Sequence, residues 1–320
     1  MSTRIAIDGA GRIGMDLLRI IYEDKEDIDV AAVNGGGDHE SDIRRFAHDS
    51  VYGDYKGSAV YADGSLLIDG KKILYFHEYD VEKLPWQDLN IDVVIDASDN
   101  PAYKHVSAGA KRVVVASPAD RADITVVMGV NHNMYRPERH KTISLTNPAV
   151  NCIAPIMNII HKKFYILKGN VTVISPYCVS DTDCLTSKAS NFTIPPRAAD
   201  NVRSIGCVIP ELEGKFNGIS LMAPTDAVSL ADMNLMVGKQ TNVVAINEYL
   251  KAMAAGPHRG ILSFNEKQLP MSDFKGDHHS AIIEPLSTVV SDGNIVKIMA
   301  AYDNEYGYCH RIIDFIKYIG

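Results

Sequence analysis

Seven residues near the start of the chain, DGAGRIG (Asp8 to Gly14), restrict its fold more than any other stretch. Gly9, Gly11 and Gly14 have the spacing G-x-G-x-x-G. They follow the short apolar run RIAID and open RIGMDLLRIIYED, where Ile13, Leu17, Leu18, Ile20 and Ile21 recur at helical spacing. Strand, glycine turn and helix in that order is the setting in which this motif cradles the pyrophosphate of a dinucleotide. The first glycine permits the tight turn, the second lets a phosphate approach the backbone, and the third lets helix and strand pack closely. The helix N-terminus offers N–H groups to the phosphates. The competing reading is a glycine turn kept for packing alone.

The rest of the fingerprint departs from the pattern. An acid that holds the adenosine ribose is expected at the end of the second strand. The sequence AAVNGGGDHE has Asn34 and Gly35 there, with Asp38 and Glu40 a few residues late. Arg44 and Arg45 follow and are read as a solvated helix face in preference to a phosphate site. NAD, NADP or neither stay open as cofactors.

Short apolar strands alternate with helical or loop segments through the first half: DVAAVN, DVVIDAS, KRVVVAS and ITVVMGVN. That alternation implies a parallel sheet covered on both faces. VYADGSLLIDGKKILYF adds hairpin-joined strands with turns at Asp63-Gly64 and Asp69-Gly70. After about residue 148 the pattern changes. The helix AVNCIAPIMNIIHKKF precedes longer alternating strands, which read as a mixed or antiparallel sheet. The 320 residues suffice for two domains. A net charge of -8 argues against a general nucleic-acid or anionic-membrane binder. No apolar run reaches the roughly 18 residues of a membrane helix, and a strand pattern starts at once where a signal peptide would lie. The five scattered cysteines, without a CxxC pair, read as reduced thiols in the cytoplasm.

HDSVYGDYKG, MGVNHNMY, VNCIAP, VIPELEGKFNG, SDFKGDHHS and YDNEYGY occur in that order. With DGAGRIG they make the chain resemble glyceraldehyde-3-phosphate dehydrogenase over nearly its whole length. The resemblance implies an α/β fold: a Rossmann-type parallel-sheet dinucleotide-binding domain and a second α+β domain of mixed or antiparallel sheet. The boundaries expected are 1–147, completed by a C-terminal helix at 310–320, and 148–309. It also implies a homo-oligomer, dimer or tetramer, and a reaction that runs through a cysteine acyl-enzyme with hydride passing to NAD(P).

The family's catalytic positions are altered here. Counting back from Asn151 and Cys152, the nucleophile's place falls on Pro148. Asn147 suits an N-cap and proline suits the first helical position, so the backbone is served and the thiol is lost. The family's general-base histidine corresponds to Ser175, which has no imidazole. Met222 stands for an anion-binding arginine, and Ala199 and Asp200 for a threonine-glycine pair. The loop between Asp181 and Pro195 is shorter than the family's. On the cofactor side, Gly9, Gly11, Arg12, Ile13 and Gly14 match the pyrophosphate turn, with Asn34 and Gly35 at the adenosine end. Ser98 stands near a family threonine-glycine, Asn304 matches the residue that holds the nicotinamide carboxamide, and Tyr308 the aromatic that flanks the ring.

Cys178 falls on a family phosphate-binding threonine and is a speculative substitute nucleophile, without a histidine to pair with. The bland reading is a partly buried, unreactive thiol. His278 and His279 are expected to point to opposite faces of a strand without a carboxylate partner, so no metal site is expected. Together these residues suggest a degenerate homologue that binds a nucleotide and acts as a regulatory or partner protein. The alternative is an NAD(P)-dependent oxidoreductase with a changed substrate and no covalent thiol step.

Overall fold

The structure, a computed structural model, describes residues 2–98, 100–176, 196–198, 204–223, 227–267 and 269–320, with backbone alone for 196–198. Two compact units emerge. One comprises 1–126, 132–146 and 309–320, the other 127–131 and 147–308.

In the first unit the elements are β1 (Thr3–Asp8), α1 (Arg12–Glu23), β2 (Ile28–Asn34), α2 (His39–Ala47), β3 (Ala59–Ala62), β4 (Ser65–Ile68), β5 (Lys71–Phe76), β6 (Val93–Asp96), α3 (Ala102–Ser107), β7 (Arg112–Val115), β8 (Ile124–Thr125) and β9 (Thr142–Ser144). The sheet order is β8–β9–β7–β6–β1–β2–β5–β4–β3. From β8 to β5 every pairing is parallel, and the last three strands form an antiparallel meander. The meander turns are those the sequence marked. Asp63, Gly64, Asp69 and Gly70 all have positive φ, which suits the twist of a two-residue hairpin. The parallel strands are apolar throughout because both sheet faces are covered. Ile5, Ile7, Val93, Val94, Ile95, Val113 and Val114 are all 0% exposed. The run ITVVMGVN gives only the short strand Ile124–Thr125.

The second unit contains α4 (Pro148–Phe164), β10 (Ile166–Pro176), β11 (Pro196–Ala198), β12 (Phe216–Ala223), β13 (Val228–Val237), α5 (Val243–Ala255), β14 (Leu262–Phe264), β15 (Ala281–Ile283), β16 (Val289–Ser291) and β17 (Ile295–Asp303). Its mixed sheet has the order β11–β12–β10–β13–β17–β15–β14, with β16 on the edge of β17. One face of β10 and β13 buries Val171, Val173, Ala231, Met233 and Leu235 in the same core as α4. The helix α6 (Tyr306–Ile319) closes the chain, and its residues from Cys309 belong to the first unit.

The division differs from the expected 1–147 and 148–309 at residues 127–131, and by one residue each at Asn147 and Cys309. Val127 lies in the core beside α4, its N–H donates to Asn131 Oδ1 (2.9 Å), and Gly129 O meets His258 Nε2 at 3.1 Å. These contacts attach a loop of the first half to the second core.

Candidate functional site

The cleft of the first unit opens at the C-terminal ends of β1, β2 and β6. There the sheet order leaves β1 in both directions, the switch point at which open α/β sheets bind ligands. Gly9 has φ +110°, its N–H donates to Asn34 O (2.9 Å), and a Cβ on it would lie 2.6 Å from Ala97 O. A Cβ on Gly14 would overlap Gly9 O, whereas one on Gly11 meets only open space. Gly11 is also the N-cap of α1 and provides no side-chain cap. The turn thus packs tightly at its first and third glycines and leaves room at the second, where a phosphate would sit. Arg12 and Ile13 are half-buried in the first turn of α1, and Arg12 stands 3.6 Å from Asp49.

A depression of about 370 Å³ is lined by Asp8, Gly11, Asn34, Arg45, Ser98 and Asn100, among others. A second, of about 360 Å³, shares Ser98 and Asn100 and continues past Tyr103, Ser117 and Arg121. Each is at the small end of ligand pockets, about 300–1,000 Å³.

Gly35 cannot carry the missing acid. A Cβ there would overlap the Tyr75 hydroxyl and come within 2.6 Å of Asp42 Oδ2. Tyr75 donates a short hydrogen bond to the buried Asp42 in that space. Asp38 caps α2, accepting from the N–H groups of Glu40 and Ser41 at 3.3 Å. Arg44 and Arg45 are both exposed, as on the expected solvated face; Arg45 also lines the cleft and donates to Ala10 O at 2.8 Å.

Behind the cleft lies a buried polar cluster. Asp8 Oδ1 accepts from Asn34 Nδ2 (2.6 Å), and Asp8 Oδ2 accepts from Ser98 Oγ (2.9 Å) and Asn100 Nδ2 (3.2 Å). His105 Nε2 stands 3.2 Å from Asp8 Oδ2, and Trp86 Nε1 donates to His105 Nδ1 at 3.0 Å. Burial pushes Asp8 up, but these donors outweigh it and hold its carboxyl below the ordinary range. Asp96 is pushed up to about 6, chiefly by burial. Asp8, Asp96 and His105 were not among the expected site residues. The available signal was an acid ending each of two buried parallel strands.

In the second unit, Asn147 Oδ1 accepts from Val150 N at 3.0 Å and Pro148 opens α4, as the spacing predicts. Cys152, one turn in, is fully buried, and burial pushes its thiol far above the ordinary range. Ser175 lies on β10 and hydrogen-bonds the buried Tyr302, as does Ser229. Ser229 Oγ also donates to Asn304 Oδ1 (2.7 Å). Tyr308 is 2% exposed and Met222 is buried. Cys178, Ala199, Asp200 and the segment from Asp181 to Pro195 lie outside the described residues.

One expectation is corrected. His278 and His279 do not sit on opposite faces of a strand. They lie outside the strands, their rings are 4.1 Å apart, and Asp277 Oδ1 is 2.7 Å from His279 Nδ1. The turn brings a carboxylate beside them that strand geometry would have kept away.

A parallel sheet with a glycine turn at its switch point, joined in the chain to a mixed-sheet unit, defines a dinucleotide-binding oxidoreductase architecture. The chain belongs to the glyceraldehyde-3-phosphate dehydrogenase family. Residues 3–102 match the model for the glyceraldehyde 3-phosphate dehydrogenase NAD binding domain and residues 149–304 that for the C-terminal domain. The chain is 35% identical to a glyceraldehyde-3-phosphate dehydrogenase of Geobacillus stearothermophilus, over 100% of this chain and 98% of the relative. It is 36% identical to glyceraldehyde-3-phosphate dehydrogenase 1 of Saccharomyces cerevisiae, over 99% and 98%. It is 34% identical to the testis-specific enzyme of Rattus norvegicus, over 98% and 76%. Among the described residues no helix is long and apolar enough to cross a membrane.

Proposed function

We propose that this family member binds NAD but does not carry out phosphorylating oxidation of glyceraldehyde 3-phosphate, and that it acts as a nucleotide-binding regulatory or partner protein. The observation that carries the reading is the mouth of α4. Pro148 occupies the first helical position, where a helix N-terminus lowers a thiol pKa. The nearest cysteine, Cys152, is sealed in the core. Ser175, bonded to Tyr302, offers no base near neutral pH. NAD is favoured over NADP because the first depression has Asp8, Asp38, Asp42 and Glu78 against Arg45 alone among its bases, so a further 2′-phosphate there would be repelled. We place the protein in the cytoplasm as a homo-oligomer, by analogy with the family.

The second reading, an oxidoreductase of changed substrate, draws on the Ser229–Asn304 bond. With Oδ1 taken by Ser229, the Asn304 amide keeps its N–H₂ as a donor for a carboxamide. Hydride transfer itself needs no thiol.

Calorimetric titration with NAD, NADH, NADP and NADPH, paired with an assay on glyceraldehyde 3-phosphate and phosphate, tests both. Micromolar NAD binding without turnover supports the first reading. Turnover abolished by Asn304→Ala and untouched by cysteine substitutions sinks it. Reduction or oxidation of another carbonyl or alcohol favours the second.

A further inference from the structure

The cleft wall holds a hydrogen-bond chain that is one hydrogen short. Ser98 Oγ lies 2.7 Å from Asp96 Oδ1 and 2.9 Å from Asp8 Oδ2. A hydroxyl donates a single hydrogen. Both contacts can be hydrogen bonds at once only when a carboxyl group supplies a proton. Asp8 is poorly placed to carry it, since both its oxygens already accept hydrogen bonds from Asn34 and Asn100 and one faces His105. Asp96 is placed differently: only its Oδ1 accepts, from the Ser98 backbone N–H at 3.0 Å. It is fully buried, and its Oδ2 has no hydrogen-bond partner among the described residues. An ionised carboxylate with one oxygen unsolvated is strongly disfavoured. When that proton is present it sits on Asp96, which donates to Ser98 Oγ, which donates to Asp8; without it, one of the two Ser98 contacts has no hydrogen. The other lone pair of Ser98 Oγ takes the Asn100 N–H at 3.1 Å.

His105 is not the source. Indole N–H is a donor only, so the Trp86 contact makes Nδ1 the bare nitrogen and puts the imidazole hydrogen on Nε2, toward Asp8. The same tautomer argues against a metal ion here, although ligand atoms of Asp8, Asp96 and His105 lie within 4.8 Å of one another. An ion would need the Nε2 lone pair.

We propose that Asp96, Ser98 and Asp8 form a proton-holding site in the wall of the nucleotide cleft, and that an anionic nucleotide binds there with uptake of one proton by Asp96. The proposal rests on reading this cleft as a nucleotide site. Asp8, Ser98 and Asn100 line the cleft directly. Phosphates entering beside Gly11 bring negative charge toward two carboxyl groups, and like charge favours the protonated form. Nucleotide and proton then assist each other's binding.

The groups facing Asp96 are few. Asp8 is its ladder partner on β1 and adds to the upward shift. His105, from α3, opposes it. On β7 the ladder partner is the apolar Val115. Asp38, Asp42 and Glu78 add negative charge around the cleft, and Arg45 positive charge. Burial leads the shift that takes Asp96 up to about 6, so the added charge of a ligand moves its titration toward neutral pH.

The test is calorimetry of NAD binding to the full chain in buffers of differing ionisation heat. Wild type is expected to take up a large fraction of a proton per NAD near neutral pH. Its affinity should fall with rising pH, by up to about tenfold per unit where one proton is linked. Asp96→Asn imitates the protonated acid, and should bind NAD with no proton uptake and a flat pH profile. Binding by wild type without uptake overturns the linkage and leaves the cofactor reading intact. Uptake that persists in Asp96→Asn also overturns the proposal. Failure of the chain to bind NAD overturns both it and the cofactor reading. Difference infrared spectroscopy on wild type reads the event without a variant, as a protonated-carboxyl band gained on adding NAD. Absence of that band from an NAD complex overturns the proposal equally.

Discussion

Tyr75 and Asp42 hydrogen-bond in the space that a side chain at position 35 would need. The absence of an acidic side chain at position 35 is therefore built into the packing. Gly35→Asp should not restore a ribose site. It should overpack the wall and destabilise the fold by about 1–3 kcal/mol. Urea unfolding reads this directly. Tyr75→Phe alone should cost about 1–3 kcal/mol, because it removes a bond to a buried charged acceptor. Combined with Gly35→Asp, the two costs should be less than additive, since both act on one contact. Full additivity would mean that Tyr75 is not what excludes the side chain.

Asp96 gives stability a pH dependence of unusual sign. Its carboxyl is raised to about 6 in the native state, against about 3.9 when unfolded. Between these values the native state binds more protons. Stability falls as pH rises through that window, by up to about 3 kcal/mol, and this contribution is level above it. Asp8, Asp92, Asp123 and Asp277 are lowered, so their support is lost only as pH drops below the ordinary carboxylate range. His132 and His161, lowered by burial, lose theirs as pH falls through the usual histidine range, which partly masks Asp96. The difference between wild type and Asp96→Asn isolates the effect. The variant should gain on wild type from pH 4 toward 6. Parallel profiles would place the Asp96 pKa at an ordinary value.

The parts of this fold legible in sequence are those set by near neighbours. The glycine turn, the hairpins at Asp63-Gly64 and Asp69-Gly70, and the Asn147–Pro148 helix start each follow from a few consecutive residues. Asp8 and Asp96 stand at the ends of strands far apart in the chain and meet only because β1 and β6 pair in parallel. His105 joins them from α3, held by Trp86. The sequence shows an acid at the end of each strand, but nothing local says that the two strands are neighbours. The loop at Val127 likewise joins the second core through contacts with Asn131 and His258, invisible to a reading by composition.

Reactivity of the cysteines should follow burial. Cys152 is 0% exposed and should resist alkylation in the native protein, whereas Cys207 is exposed and should react. Peptide mapping after brief treatment with iodoacetamide separates the two. Pro148→Cys would place a thiol at the mouth of α4. Each unit by which the helix end lowers its pKa raises the thiolate fraction at neutral pH about tenfold, so it should be alkylated faster than Cys207. A Pro148→Cys thiol no faster than Cys207 would show that this helix end has no activating field.

The Ser229–Asn304 bond yields a prediction that separates the two functional readings. Ser229 is fully buried and its hydroxyl fixes the Asn304 amide from below, while Tyr302 packs alongside. Ser229→Ala removes that restraint. The cost in stability should be about 1 kcal/mol, the worth of a neutral hydrogen bond. If Asn304 holds a carboxamide, NAD affinity should fall several-fold, about 1 kcal/mol or less, while ADP-ribose, which lacks the nicotinamide, should bind as tightly as before. Equal loss for both ligands would mean a general disturbance of the unit. No loss for either would leave Asn304 without a part in binding, and the oxidoreductase reading without the observation that favours it.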